Sequence, residues 1–209
     1  MNKLFPPPPF NNYNNLMIDP DSITHITTPD NAQKIVQIMR NHIPAHIDPR
    51  GLSICDGTAC VGGDTIAFGH MFGRVVSIEL NRTRYNMLAN NIAIYGLDNI
   101  IPLNDDFVTT YPMLESLDCI YLDPPWGGSG YKTKTNLRLC IGNVYIDQIV
   151  CHLFSGTIRS NIKMVCIKLP LNYNLHELYE NTKMTSRTMY MYKLPQMMII
   201  VYCSDTSFL

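Results

Sequence analysis

A chain of 209 residues that is 46% hydrophobic and 16% charged suits one globular domain, or a domain with an arm. A net charge of −1 and a pI near 6.6 exclude a strongly basic surface overall. Long nucleic-acid duplexes are disfavoured on that ground, whereas a short or modified nucleotide needs only a local basic patch. The seven cysteines are an odd number with no Cys-x-x-Cys pair, which points to reduced thiols in a cytosolic or nuclear compartment. The first five residues run directly into four prolines, so no signal peptide is expected, and the longest apolar runs, such as 197–203, are too short for a bilayer.

Residues 1–22 read as a flexible arm and residues 23–209 as a single domain. Pro6 to Pro9 form a short polyproline II candidate between Phe5 and Phe10. The arm is either a disordered tail or a segment that folds over a ligand through Phe5, Phe10 and Tyr13. Thr28-Pro29-Asp30 is a helix start, with Thr28 as N-cap. Ala32, Ile35, Val36, Met39 and Ile43 then lie on one helical face. His42 and His46 are four apart but have no third ligand nearby, so they are read as helix-end residues and no metal is expected.

From residue 51 onward, strand and helix alternate. Residues 51–56 make a buried strand ending in an acid, and a helix spans 65–71 after Gly57, Gly62 and Gly63. Residues 74–79 form a second strand, and Asn81 caps a helix that stops at Gly96. Strands follow at 99–103 and 117–122, a helix at 143–154, a strand at 163–168 and a short helix at 174–182. Two adjacent strands, 185–193 and 196–203, close the chain through a turn at Leu194-Pro195 and must pair antiparallel. The fold class is therefore α/β: a Rossmann-like sheet of seven strands, mostly parallel, with the last strand antiparallel.

Asp56, Glu79, Asp106 and Asp123 all fall at the carboxyl ends of these strands, where an open α/β sheet binds ligands. Backbone amides of the Gly57 to Gly63 loop suit a ligand carboxylate. Glu79 suits a bidentate acceptor for ribose hydroxyls. Asp106 suits an adenine amine, with Phe107 on the ring. Together these describe S-adenosylmethionine. Asp123-Pro124-Pro125-Trp126-Gly127-Gly128 sets a carboxylate, two rigid carbonyls and the only tryptophan at one strand end. That combination suits methyl transfer to the exocyclic amine of a planar base. The competing view is an ordinary Asp-Pro-Pro turn with Trp126 as a core anchor.

Asp56-Gly57-Thr58-Ala59-Cys60-Val61-Gly62-Gly63-Asp64-Thr65 and Asp123-Pro124-Pro125-Trp126-Gly127-Gly128 resemble the RNA cap guanine-N2 methyltransferase (trimethylguanosine synthase) family. Asn90-Asn91-Ile92-Ala93-Ile94-Tyr95-Gly96 and Asp106-Phe107 fit the same pattern, and the resemblance covers about residues 25–203. It implies a class I methyltransferase that moves methyl from S-adenosyl-L-methionine to N2 of 7-methylguanosine in an RNA cap, giving 2,7-dimethylguanosine or, with a second transfer, 2,2,7-trimethylguanosine. It implies Asp123, Pro124 and Trp126 as catalytic residues. It implies cofactor contacts from Asp56, Gly57, Thr58, Gly62, Gly63, Thr65, Glu79, Asp106, Phe107 and Asp123. Trp126, Lys168 and Asn172 would meet the capped RNA.

Two departures stand out. Cys60 replaces a usual glycine, and Leu171 stands where an arginine often meets the cap phosphates, so Lys168 is the candidate replacement. A monomer is the expected state, and the Asn-, Ile- and Tyr-rich composition suits the AT-rich genome of a large DNA virus. The alternatives are an N6-adenine methyltransferase acting on DNA or RNA and a non-catalytic cap- or cofactor-binding subunit.

Overall fold

The apolar runs Ser53–Asp56, Cys119–Leu122, Met164–Leu169 and Met198–Cys203 become strands buried along their whole length, as strands covered on both faces are, whereas Thr188–Lys193 is exposed or half-buried throughout. The computed structural model describes residues 1–203 and 208. The chain divides into two compact units, Met1–Phe107 and Val108–Leu209. Its main sheet has seven strands in the order β3-β2-β1-β4-β7-β9-β8, in agreement with the expected class.

In the first unit the chain runs through α1 (Pro20–His25), α2 (Pro29–Asn41), β1 (Ser53–Asp56), α3 (Gly63–Met71), β2 (Arg74–Ile78), α4 (Arg82–Tyr95) and β3 (Ile100–Leu103). β1 pairs parallel with β2, and β2 pairs parallel with β3. α4 begins where the Asn81 side chain accepts from the Thr83 and Arg84 amides at 2.9 and 3.1 Å. It ends at Gly96, whose φ of 63° is a left-handed cap. Thr28 occupies the N-cap of α2 as expected, but its hydroxyl makes no cap bond. α2 buries Ala32, Ile35, Ile38 and Met39.

Residues 1–22 are held by side chains far along the sequence. Phe5 and Leu16 are buried with Val61, Ile66 and Tyr95. The Tyr95 hydroxyl donates to the Pro6 carbonyl at 2.5 Å. Asn91, itself fully buried, accepts from the Met17 amide at 2.8 Å and donates to the Met17 and Val61 carbonyls at 2.8 and 2.9 Å. Phe5 is therefore a core residue and does not face a ligand, whereas Phe10 is fully exposed. Sequence alone did not reveal α1. Asp19 caps it through the Ser22 amide at 2.8 Å, with Pro20 at the first position.

The short α5 (Phe107–Thr110) follows β3. The second unit continues through β4 (Cys119–Leu122), a two-residue hairpin of β5 (Cys140–Ile141) and β6 (Val144–Tyr145), and α6 (Ile146–Leu153). It ends with β7 (Met164–Leu169), α7 (Leu175–Thr182), β8 (Thr188–Lys193) and β9 (Met198–Cys203). β4 is parallel to β7, and β9 lies antiparallel between β7 and β8. The β5–β6 hairpin escaped the sequence reading because two-residue strands are too short to show alternation. Among the described residues, no helix is long and apolar enough to cross a membrane.

Candidate active site

The first unit carries the residues expected to hold the cofactor. Asp56 ends β1 and is 1% exposed. Its Oδ1 accepts from the Thr58 amide at 3.2 Å, and its Oδ2 accepts from the Thr65 hydroxyl at 2.6 Å. Asp56, Thr58 and Thr65 thus organise the loop between β1 and α3. The amides of Ala59, Cys60 and Gly62 are also used within the unit, by the Ile78 carbonyl, Glu79 Oε2 and the Ala59 carbonyl. Four of the amides expected to hold a ligand carboxylate are therefore already bonded to the protein.

Gly62 has φ +102°, a conformation that glycine adopts without penalty. Gly63 is required by packing: a Cβ there would lie 2.7 Å from Ile26 Cγ1 and 2.9 Å from the Thr27 carbonyl oxygen. Gly57 is buried in the same loop.

Glu79 follows β2. Its Oε2 accepts from the Cys60 amide at 2.9 Å and its Oε1 from the Asn81 amide at 2.8 Å. Each oxygen has capacity for one more donor, which fits the vicinal hydroxyls of a ribose. Burial pushes the Glu79 carboxyl above its usual range, against the opposing hydrogen bonds from the Asn81 and Cys60 amides. Two hydroxyl donors would replace part of the lost hydration of its charged form. Asp106 is half-buried beyond β3, with its amide donating to Asp105 Oδ1 at 2.8 Å. Phe107, expected against an adenine ring, is only 2% exposed. A ring so deeply buried offers little face to a ligand, and its burial at the start of α5 accounts for the difference.

The second unit carries the residues expected to meet the base. Asp123 follows β4, and Lys168 in β7 donates from Nζ to its Oδ2 at 2.6 Å. Pro124 is buried and Pro125 exposed. Trp126 is half-buried and meets Tyr131 edge to face, with ring centroids 5.0 Å apart at 79°. The Lys168 ammonium lies 5.8 Å from the Trp126 ring centre. Gly127 and Gly128, with φ of 91° and 66°, turn the chain into the 3-10 helix Gly128–Thr133 that presents Tyr131.

Two expected substrate contacts have other partners. Asn172 donates from Nδ2 to the Tyr131 and Lys134 carbonyls, both at 2.7 Å, so it pins the loop that braces Trp126. Lys168 is 4% exposed and paired with Asp123, so it does not extend toward a phosphate as the replacement for an arginine at Leu171. Leu171 itself is exposed. Tyr131 was missed by the sequence reading. Its signal was an aromatic residue five positions beyond Trp126 in a glycine-rich turn.

Comparison with known proteins gives the family and the fold. A family model described as RNA cap guanine-N2 methyltransferase matches residues 52–205. An uncharacterized protein, L320, of Acanthamoeba polyphaga mimivirus is 35% identical over 95% of this chain and 83% of its own length. The trimethylguanosine synthase of Schizosaccharomyces pombe is 30% identical over 60% of this chain, a match that spans 53% of the yeast protein. Among solved structures, precorrin-6y C5,15-methyltransferase of Geobacter metallireducens superposes with a TM-score of 0.63 at 13% identity, over 90% of this chain and 96% of that one. The Thermus thermophilus 16S rRNA N2 G1207 methyltransferase, solved with AdoMet and guanosine, gives 0.61 at 15% identity, over 90% of this chain and 44% of that one. At these identities the structural likeness establishes the fold.

Proposed function

We propose that this chain, which belongs to the RNA cap guanine-N2 methyltransferase family, transfers a methyl group to the exocyclic N2 of 7-methylguanosine in an RNA cap. As a member of that family it uses S-adenosylmethionine as its methyl donor, a cofactor that supplies an electrophilic methyl group on a positively charged sulfur. Within the first unit, Glu79 is the residue best fitted to hold the ribose, and Asp106 is the candidate for the adenine amine. The Asp56–Thr58–Thr65 cluster shapes the loop around them. The observation that carries the substrate assignment is a carboxylate fixed by a buried lysine three residues before a braced indole, in Asp123-Pro124-Pro125-Trp126.

The chemistry follows from those groups. Trp126 offers a flat face for a base, and stacking of this kind contributes about 1–3 kcal/mol. A 7-methylguanine ring is cationic, which adds a cation–π contribution of roughly 1–2 kcal/mol and favours it over guanine. Asp123 accepts an N2–H bond, with the Pro124 carbonyl as second acceptor. Those bonds turn the weak nitrogen lone pair toward the incoming methyl carbon. The C–N bond would form as the bond from that methyl carbon to the donor sulfur breaks, leaving S-adenosylhomocysteine; the Asp123 carboxylate would stabilise the positive charge gained by the nitrogen, whose proton leaves to water. Positioning dominates, because a ring-conjugated amine is a poor nucleophile and the displacement needs in-line approach.

The deciding experiment supplies S-adenosylmethionine with 7-methylguanosine-capped and unmethylated-capped dinucleotides. Transfer to the first, with little to the second, is expected, and mass analysis of the product tells one methyl from two. Trp126→Ala should abolish the discrimination while leaving cofactor affinity within about twofold, since a lost stacking face acts on the base alone. No transfer to either cap, or equal transfer to both by the unaltered protein, would refute the assignment.

A further inference from the structure

Lysine is an unusual occupant of β7. All six residues of Met164–Leu169 are buried, and the Lys168 side chain is 6% exposed. An ammonium there gives up its hydration, and an apolar residue of similar length would fill the same strand position without that cost. The charge is compensated by Asp123, 45 residues earlier in the chain, at 2.6 Å. The same ammonium lies 5.8 Å from the Trp126 ring centre. One buried cation thus touches the proposed amine acceptor and lies close to the proposed base platform.

We infer that Lys168 is a positioning and specificity-determining residue of the base site, acting through Asp123 and Trp126, an inference that rests on the methyl-transfer reading above. Two consequences follow from its geometry. By occupying Oδ2, Lys168 fixes the rotation of the carboxylate, so Asp123 presents a defined acceptor edge to an amine. By neutralising Asp123, it also removes a bare negative charge from beside the indole. Preference for a cationic base then comes from the ring face, and the carboxylate adds little to it. Lys168 therefore tempers the site's selectivity for 7-methylguanine while raising turnover. It does not bind phosphate.

The opposing charges give opposing predictions. In Lys168→Met the carboxylate is left uncompensated, so the affinity ratio of 7-methylated over unmethylated cap should rise by roughly five- to tenfold. In Asp123→Asn the ammonium is left uncompensated near the indole, and the same ratio should fall. Lys168→Arg keeps the charge and should restore the ratio of the unaltered protein. Turnover in Lys168→Met should drop by about tenfold or more even though the 7-methylated cap binds no more weakly, because acceptor orientation is lost after binding.

Trp126 is the only tryptophan, so quenching of its fluorescence by the two cap analogues reports both affinities without requiring turnover. If neither analogue quenches the unaltered protein, the cap assignment fails and this inference falls with it. If both analogues quench, and the ratio stays within twofold in both Lys168→Met and Asp123→Asn, Lys168 is structural only and the inference alone is overturned. Should Lys168→Met fail to fold, Asp123→Asn decides by the sign of its change: a fall supports the inference, and no change or a rise overturns it.

Discussion

Cys60 has a φ of 50°, in the left-handed region where a side chain crowds its own backbone. It is also the residue that departs from the glycine usual in the resembled family. Its amide is committed to Glu79 Oε2 and its thiol sits 3.3 Å from the Ser22 hydroxyl. The backbone thus does what a glycine would do, with a side chain that costs strain and gains a contact to the N-terminal segment. Burial raises the thiol's pKa, and the nearby Glu79 charge adds to that against the Ser22 hydrogen bond, so Cys60 is a poor nucleophile at neutral pH. Comparing Cys60→Gly with Cys60→Ala separates strain from contact, because both lose the thiol and only alanine keeps the strained Cβ. Chemical denaturation should find the glycine variant more stable than the alanine variant by about 1 kcal/mol. Equal stabilities would mean that the loop relaxes around either residue.

At the scale of elements, α1 and the segment before it are fastened to α4 and the loop between β1 and α3 by a few polar side chains. Asp19 caps α1 and pairs with Arg84 at 3.1 Å. Burial alone would raise its pKa, but hydrogen bonds from Ser22 and Arg84 outweigh this and bring it down to about 2 from an ordinary 3.8. The folded value is the lower one, so the stabilisation is complete above 3.8 and is lost as pH falls through about 2. Asp19→Ala should cost about 1–2 kcal/mol at neutral pH, most of it from the helix cap, since an accessible pair with Arg84 is screened. Stability curves should show the variant declining less than the unaltered protein between pH 4 and 2, and parallel declines would mean that the cap bond is not formed in solution.

These contacts also mark where sequence reading stops. The strand that ends in Asp56 and the strands just before Glu79 and Asp123 were legible because apolar runs followed by acids are local patterns. The roles of Asn91, Tyr95 and Arg84 were not, because their partners lie 74, 89 and 65 residues away. A segment rich in Pro and Asn looks unstructured by composition, yet Phe5 and Leu16 are buried in it. Lys168 was legible as a cation near the site, but its partner was not, since pairing with Asp123 depends on β4 and β7 being neighbours.

At the scale of the whole molecule, charge limits how the proposed RNA substrate can be held. Sixteen Lys and Arg face seventeen Asp and Glu. Several of the cations, among them Arg84, Arg138, Lys163 and Lys168, are already paired with carboxylates. Binding that relied on the phosphate backbone would need many unpaired cations and would weaken steeply with salt, by about 0.7 in log–log slope for each single-strand phosphate neutralised. The proposed site, built on an indole face and a fixed carboxylate, would depend on the cap itself. Affinity for a capped RNA should therefore fall with a log–log slope no steeper than about −2, equivalent to two or three phosphates next to the cap. Lengthening the RNA from a dinucleotide to about twenty residues should change kcat/KM by less than roughly threefold, because charges beyond a screening length of about 8 Å are largely hidden at physiological salt. Titration of both RNAs across sodium chloride concentrations checks both statements together. A slope near −5 with strong length dependence would place most of the affinity along the RNA chain and reduce Trp126 to a secondary contact.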